Sequence, residues 1–218
     1  MTTLSRSIRI LAAAPLLTVV GITAAIVASG AHRRLGATRE ESRRTLPGDD
    51  LLERADLQAD RAVTIAAAPE RVWPWIAQLG QDKGGFYSFE WVENLVGCDI
   101  HHADRIVPEW QHPEVGDPFP LHPDMVLRVG TVETGHALVA TSQGGSAPQG
   151  TGMDFTWAFV LSALPPDPAT PVATRLHVRE RYQVSSPAVR VGVEVVNLIS
   201  TVMSWRMTRT IKQLAERP

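Results

Sequence analysis

Side chains suited to metal binding or proton transfer are concentrated in one stretch of this chain, between positions 99 and 122. The stretch contains Asp99, His101, His102, Asp104, Glu109, His112 and His122. The two adjacent histidines would point to opposite sides of an extended strand, and the stretch lacks the fixed helical spacing of an H-E-x-x-H zinc site. We therefore expect no metal site here. We interpret the stretch as a polar loop in which Asp104 and Arg105 form local hydrogen bonds.

A second residue with chemical potential is Glu180, which lies in a segment of alternating polarity. Between Arg175 and Val184, this alternation puts Glu180 on the same face as Val178 and Tyr182. A carboxylate on an apolar face must be paired, protonated or functional. Three interpretations are open: a general base or ligand anchor, a structural ion pair, or a shift of register near the strand end that exposes the side chain.

Composition and motifs argue against several classes of function. The formal net charge of -2 gives no reason to expect a polyanionic partner, so we expect no nucleic-acid binding. The chain has no G-x-S-x-G motif, no phosphate-cradling loop and no dinucleotide fingerprint, and we expect no cofactor. Cys98 is the only cysteine, which rules out an intrachain disulfide, and we interpret it as a small buried apolar residue.

The elements that position these residues follow from the hydrophobic periodicity. A short strand at Ala62–Ile65 precedes Pro69, which suits the first turn of a helix. Ser88 is expected to cap a second helix that ends at Gly97. This second helix would carry one face composed of Phe89, Val92, Leu95 and Val96.

The second half of the chain has the two-residue period of β-strands, followed by one long helix. The predicted strands are Phe119–Leu121, Met125–Val129, Thr131–Ala140, Met153–Leu161 and Arg175–Val184. They predict a sheet with one dry and one wet face. A helix capped by Ser186 and begun by Pro187 then carries an apolar stripe that must be covered. The stripe is Val189, Val193, Val196, Ser200, Met203, Met207, Ile211 and Leu214.

The N-terminal part of the chain predicts a membrane segment. No charged residue occurs from Ile8 to Ala28, a length close to the roughly 20 residues that span a bilayer. A signal peptide is the alternative, because Ala28-Ser-Gly30 resembles a cleavage site. More arginines follow the apolar run than precede it, which predicts a single-pass protein with its domain on the cytoplasmic side.

Three parts of the chain can therefore be distinguished. Residues 1–30 form the anchor or an uncleaved signal, and residues 31–60 a juxtamembrane linker with one short helix at Thr38–Arg44. Residues 61–218 form the folded domain.

Several motifs resemble one known group of proteins. They are Ala68-Pro-Glu-Arg-Val-Trp73, Val72–Gly80, Gly85–Gly97 and Asp99–Pro108. With the order of elements, they resemble the SRPBCC superfamily, which includes START lipid-transfer domains, pollen-allergen-type carriers and polyketide cyclase/dehydrase-like proteins. Within it they resemble a bacterial subgroup whose members often carry a membrane segment before the domain. The resemblance covers residues 46 to 216 and implies an α+β helix-grip fold, a curved antiparallel sheet wrapped around a long C-terminal helix. No shared catalytic motif accompanies it.

The resemblance implies a cavity between the sheet and the long helix. The expected cavity residues are Met153, Phe155, Trp157, Phe159, Tyr182, Val196, Met203 and Met207. Trp91, His101 and Arg105 are expected at its entrance. The alternative is that the apolar residues simply fill a solid core.

Three functions are consistent with this sequence. The first is membrane-tethered binding of a hydrophobic small molecule or lipid. The second is an enzyme of the cyclase or dehydrase kind, with Glu180, His102 or Asp104 as acid or base. The third is an interaction module with a filled core, and the oligomeric state is open in all three.

Overall fold

The structure is a computed structural model that describes residues 30–146, 152–168 and 171–218. The chain divides into two compact units, Met1–His32 and Arg33–Pro218. The apolar run Ile8–Ala28, which predicts a membrane span, lies outside the described residues.

Seven strands of the second unit form one sheet, and its longest helix is C-terminal. The strands are β1 (Arg34–Leu35), β2 (Leu57–Ile65), β3 (Pro118–His122), β4 (Met125–Glu133), β5 (Ala137–Ser146), β6 (Met153–Ala163) and β7 (Thr174–Val184). The helices are α1 (Arg39–Arg43), α2 (Pro69–Ala77), α3 (Glu90–Leu95) and α4 (Pro187–Ala215), with 3-10 turns at Asp49–Leu52 and Pro108–Trp110. The strand order is β1-β2-β7-β6-β5-β4-β3, antiparallel except between β1 and β2. The predicted α+β architecture of sheet and C-terminal helix is confirmed.

The local signals for the beginnings of helices are confirmed at two places. Pro69 is the first residue of α2, which begins shortly after the end of β2. Two side chains of this helix, Val72 and Ile76, are fully buried. The Ser186 side chain accepts a hydrogen bond from the Val189 amide at the start of α4. Each signal acts within one turn of the chain, so distant contacts do not override it.

Helix α4 packs on the sheet along one stripe and is exposed on the other side. Val193, Met207, Ile211 and Leu214 are buried in the main core. Among the described residues, α4 is also the one helix long and apolar enough to cross a membrane by length and composition. Because core helices of soluble proteins pass the same test, this property alone does not place α4 in a bilayer.

The sheet face opposite α4, predicted to be wet, is covered around Arg179. Arg179, predicted on that face, is 1% exposed. Its guanidinium contacts Asp60 and Asp49 at 2.7 Å each and donates to the carbonyls of Glu41, Ser42 and Arg44. The prediction was wrong because alternation shows only that a face is polar, and here the polar groups are satisfied by another part of the chain.

Residues 38–52, which lie within the segment 31–60 that was expected to be a linker, supply this cover. Thr38 caps α1 in a reciprocal pair with Glu41, and Glu41 binds Arg175 of β7 at 2.7 Å. The observed helix Arg39–Arg43 agrees with the short helix predicted there. Burial raises the pKa of Asp60, but hydrogen bonds from His177, Gln58 and Arg179 outweigh it and hold that pKa below its ordinary value.

Candidate functional site

A cavity with two adjoining lobes lies between the sheet and α4. Lobe 1 has a volume of about 290 Å³ and lobe 2 about 270 Å³. Each is slightly below the range of about 300–1,000 Å³ that is usual for ligand pockets. The lobes share the wall residues Leu121, Trp157, Val196 and Ser200. The other residues of lobe 1 are Phe86, Ser88, Glu93, Ile199, Met203, Ser204 and Met207, and those of lobe 2 are Met125, Met153, Phe155, Glu180 and Tyr182.

Trp157 is the common aromatic wall of the two lobes. Its ring centroid lies 5.6 Å from that of Phe86 and 4.8 Å from that of Phe159. On the lobe 2 side, Phe155 pairs across the strands with Tyr182, and their centroids are 4.7 Å apart. Phe86, Phe155, Trp157 and Tyr182 thus supply the aromatic walls of the two lobes.

Seven of the eight residues expected in the cavity border it. Met153, Phe155, Trp157, Tyr182, Val196, Met203 and Met207 line one or both lobes. Phe159 is fully buried behind Trp157 and does not line either lobe. Three polar residues that line lobe 1 were not predicted to do so: Ser88, Glu93 and Ser204. Ser200, which lines both lobes, was predicted as part of the stripe on the C-terminal helix.

Helix α3 buries a charged side chain and exposes apolar ones, the reverse of an ordinary surface helix. Its carboxylate Glu93 is 7% exposed and faces inward, whereas Trp91 is 69% and Leu95 78% exposed. The N-cap is Phe89, so the expected cap at Ser88 is wrong. Ser88 instead lies buried and donates its hydroxyl hydrogen to Glu93. The apolar face predicted from spacing therefore does not pack inward, because a six-residue helix is oriented by its contacts rather than by its period.

Glu93 is paired with His102 at the edge of lobe 1. His102 Nε2 lies 3.1 Å from Glu93 Oε2, and the Tyr87 ring centroid lies 5.8 Å from that of His102. A Cβ atom at Gly85 would lie 2.5 Å from the imidazole Cδ2. Both the backbone of Gly85 and the Tyr87 ring thus fix the position of the imidazole. A cavity carboxylate with a histidine behind it is suited to proton transfer between the cavity and the surface.

Buried polar contacts also hold the Tyr87 side chain. Its hydroxyl accepts a hydrogen bond of 2.6 Å from Gln78 Nε2. Burial raises the pKa of Tyr87 to about 12, although the hydrogen bond from Gln78 acts in the opposite direction. Tyr87 has a φ of 57°. Such a backbone conformation is uncommon for a residue with a side chain, and it marks this turn as tightly constrained.

Glu180 lines lobe 2 and is part of a buried ion pair. Its Oε2 atom lies 3.0 Å from Arg61 Nη1 and also accepts hydrogen bonds from Tyr182 and Asn197. Its Oε1 atom accepts the hydroxyl hydrogen of Ser200. Two of the interpretations left open for Glu180 are thus compatible with one geometry, since it is ion-paired and also faces the cavity. Burial and then the charge of Glu180 raise the pKa of Tyr182 well above its ordinary value.

The other predicted site residues lie outside the two lobes. Asp104 and Arg105 have exposed side chains, and their carbonyls accept hydrogen bonds from Arg217 and Gln78 respectively. His101 is exposed and contacts Glu90 at 3.1 Å. Trp91 borders an open recess of about 580 Å³ on the outer side of α3. Of the predicted catalytic candidates, Glu180 lies in the wall of lobe 2. His102 lies behind Glu93, which lines lobe 1.

Lobe 1 opens toward an apolar outer surface. Val196 and Ile199 line the lobe and are also exposed on α4. The further exposed apolar residues of α3, its C-cap and α4 are Trp91, Leu95, Val96, Val191, Val195, Val202 and Trp205. Arg209 stacks over Trp205 at 4.8 Å from the ring centroid. An apolar patch of this kind beside a cavity is typical of an interaction surface.

Comparison with known proteins gives only distant structural likenesses. No family model matches the chain, and no curated protein matches it. Norcoclaurine synthase from Thalictrum flavum is 13% identical, with a TM-score of 0.47 over 74% of this chain and 94% of its own. A protein from Mesorhizobium loti is 17% identical, with a TM-score of 0.39 over 72% and 96%. CalU16 from Micromonospora echinospora is 14% identical, with a TM-score of 0.35 over 73% and 83%. At these values the likeness supports no statement about ligand or activity.

Proposed function

We propose that this protein is a membrane-tethered SRPBCC-type domain that binds a hydrophobic small molecule or lipid between its sheet and α4. The observation that carries this proposal is the two-lobed cavity, which has aromatic and aliphatic walls and few polar groups. A core filled by its own side chains would leave no such space. Ligand pockets in proteins are predominantly apolar with a few placed polar groups, and this cavity has that composition.

Two features support a position at a membrane. The run Ile8–Ala28 has the composition and length of a membrane span, and arginines follow it, as expected for a cytoplasmic domain. In addition, lobe 1 opens beside exposed apolar residues of α3 and α4. A hydrophobic ligand that is concentrated in a bilayer would then reach the cavity without crossing water.

Native mass spectrometry of the full chain, extracted in a mild non-ionic detergent, tests ligand binding. We expect the protein to carry one apolar molecule that survives gentle activation and is released on unfolding. A protein that shows only its bare mass, even after incubation with a lipid extract, would contradict the proposal.

A second candidate function is acid–base catalysis of the cyclase or dehydrase kind in lobe 1. The contact of 3.1 Å between His102 and the cavity carboxylate Glu93 favours it. Here Glu93 would exchange a proton with the bound molecule, and His102 would connect it to the surface. Comparing the molecules bound to wild type and to Glu93→Gln tests this, because catalysis predicts that only the variant retains an unconverted precursor. Identical bound molecules in the two proteins would argue for binding alone.

A further inference from the structure

The charged groups of the cavity walls are of one sign. Glu93 lines lobe 1 and Glu180 lines lobe 2. Within the described part of the chain, no lysine, arginine or histidine lines either lobe. Arg61, the partner of Glu180, lies behind the carboxylate, toward Asn197 and Thr201 of α4. An anionic ligand would thus meet carboxylates and no cation.

Three of the four hydroxyl groups that line the two lobes are oriented by these carboxylates, and the fourth, that of Ser204 in lobe 1, donates to neither carboxylate. Ser88 donates its hydrogen to Glu93, and Ser200 and Tyr182 donate theirs to Glu180. Because the pKa of Tyr182 is raised, its hydroxyl keeps the hydrogen that it donates. A hydroxyl whose single hydrogen is committed presents only lone pairs to a ligand, and an ionised carboxylate accepts only.

We infer that the cavity selects apolar molecules whose polar end group donates a hydrogen bond, such as long-chain alcohols, and rejects the matching carboxylates. This inference rests on the proposed ligand binding and names the ligand class. An alcohol donates to the committed oxygens of Ser88, Ser200 or the two glutamates. A fatty carboxylate could accept a hydrogen bond from Ser204 alone among the lining hydroxyls, and it would bring its negative charge close to those of Glu93 and Glu180. Burying a polar group without a hydrogen-bond partner costs free energy. Among ligands of equal apolar length, we therefore expect the hydrogen-bonding capacity and charge of the end group to determine affinity.

Three photoactivatable diazirine probes of identical chain length separate charge from hydrogen-bond polarity. One ends in a primary alcohol, one in a methyl ester and one in a carboxylate. The methyl ester is neutral and accepts hydrogen bonds but does not donate them. The full chain is reconstituted in nanodiscs with each probe at the same mole fraction, and labelling of peptides containing Phe86 or Met203 is normalised to labelling of the scaffold protein.

We expect the alcohol to label these peptides at least about tenfold more than the methyl ester. This is the difference in affinity expected for one hydrogen bond to a carboxylate, or to a hydroxyl that itself donates to a carboxylate. The carboxylate is expected to label least. Glu93→Gln, which adds an amide donor to lobe 1, should narrow the ratio of alcohol to ester. Glu70→Gln makes the same chemical change at an exposed position of α2 and should leave the ratio unchanged.

The possible outcomes separate this inference from the proposed function. Equal labelling by alcohol and ester, or stronger labelling by the carboxylate, would overturn the inferred ligand class while ligand binding stands. Absence of labelling by all three probes would overturn ligand binding and the ligand class together.

Discussion

Arg61 of β2 and Glu180 of β7 form a buried ion pair of 3.0 Å, and their side chains are 1% and 2% exposed. The pair lies where the sheet, α4 and lobe 2 meet, because Arg61 also contacts Thr201 and Glu180 also contacts Ser200. The pair therefore joins the sheet to the helix and supplies a polar group to the cavity wall.

Loss of one partner of this pair should be much more harmful than loss of both. Arg61→Met leaves the buried charge of Glu180 without a counter-ion, so we expect it to lower the free energy of unfolding by about 3–5 kcal/mol. The double variant Arg61→Met with Glu180→Leu should regain most of that loss, because neither charge remains. Denaturant unfolding of the full chain in detergent, followed by tryptophan fluorescence, measures both. Arg54→Met, at an exposed arginine, is the control. A single variant as stable as this control would contradict the structure.

The covering of the outer sheet face predicts an acid-sensitive contribution from Glu41. The hydrogen bond from Arg175 is the main cause that lowers the pKa of Glu41 from 4.5 to about 2. A pKa lower in the folded than in the unfolded state gives stability above pH 4.5 that is lost as the pH falls toward 2.

Glu41→Gln should therefore be less stable than wild type at neutral pH and should show a flatter stability profile between pH 4.5 and about 2. Glu40→Gln changes a neighbouring, exposed carboxylate and is expected to follow the wild-type profile. Parallel profiles for wild type and Glu41→Gln would show that residues 38–52 do not pack on the sheet as described.

The position of His102 depends on the absence of a side chain at residue 85. Gly85 has a φ of 70°, and an added Cβ would lie 2.5 Å from the imidazole. Gly116 has a φ of 96°, but nothing lies within 4 Å of an added Cβ. Gly116→Ala should therefore lose only the free energy of placing a side chain at a positive φ, about 1–2 kcal/mol. Gly85→Ala should lose this and, in addition, the free energy of displacing His102. We expect Gly85→Ala to lower the free energy of unfolding more than Gly116→Ala and to shift the His102 imidazole resonances. Equal losses and an unshifted imidazole would argue against the fixed His102.

The sequence was sufficient for features that depend on short-range signals. Pro69 and Ser186 mark the beginnings of α2 and α4 through contacts within a single turn. The alternation in β6 and β7 indicated which residues would face α4, and most of the predicted cavity residues lie there. Phe159 is the exception. Alternation predicts which face of the sheet a side chain lies on, but not whether that side chain borders the cavity or lies behind another ring.

Features that depend on distant contacts could not be predicted. The partners of Arg179 are two carboxylates and three backbone carbonyls, all more than a hundred positions away in the chain, so its burial leaves no local pattern. The inward turn of Glu93 depends on Ser88 and His102, and a helix of six residues is too short for a hydrophobic period to reveal its orientation. The parts of the candidate site that were missed are thus its polar groups, whose role depends on tertiary partners.

Occupation of lobe 1 by an apolar molecule can be tested by filling that lobe with a larger side chain from α4. Met203→Trp directs a larger side chain into lobe 1, whereas Val202→Trp adds the same ring at an exposed position of the same helix. The amount of apolar molecule that co-purifies with each full-length protein is measured by mass spectrometry after extraction. We expect Val202→Trp to retain the wild-type amount, and Met203→Trp, still folded by circular dichroism, to lose most of it. Equal retention by both variants would show that the bound molecule does not occupy this cavity.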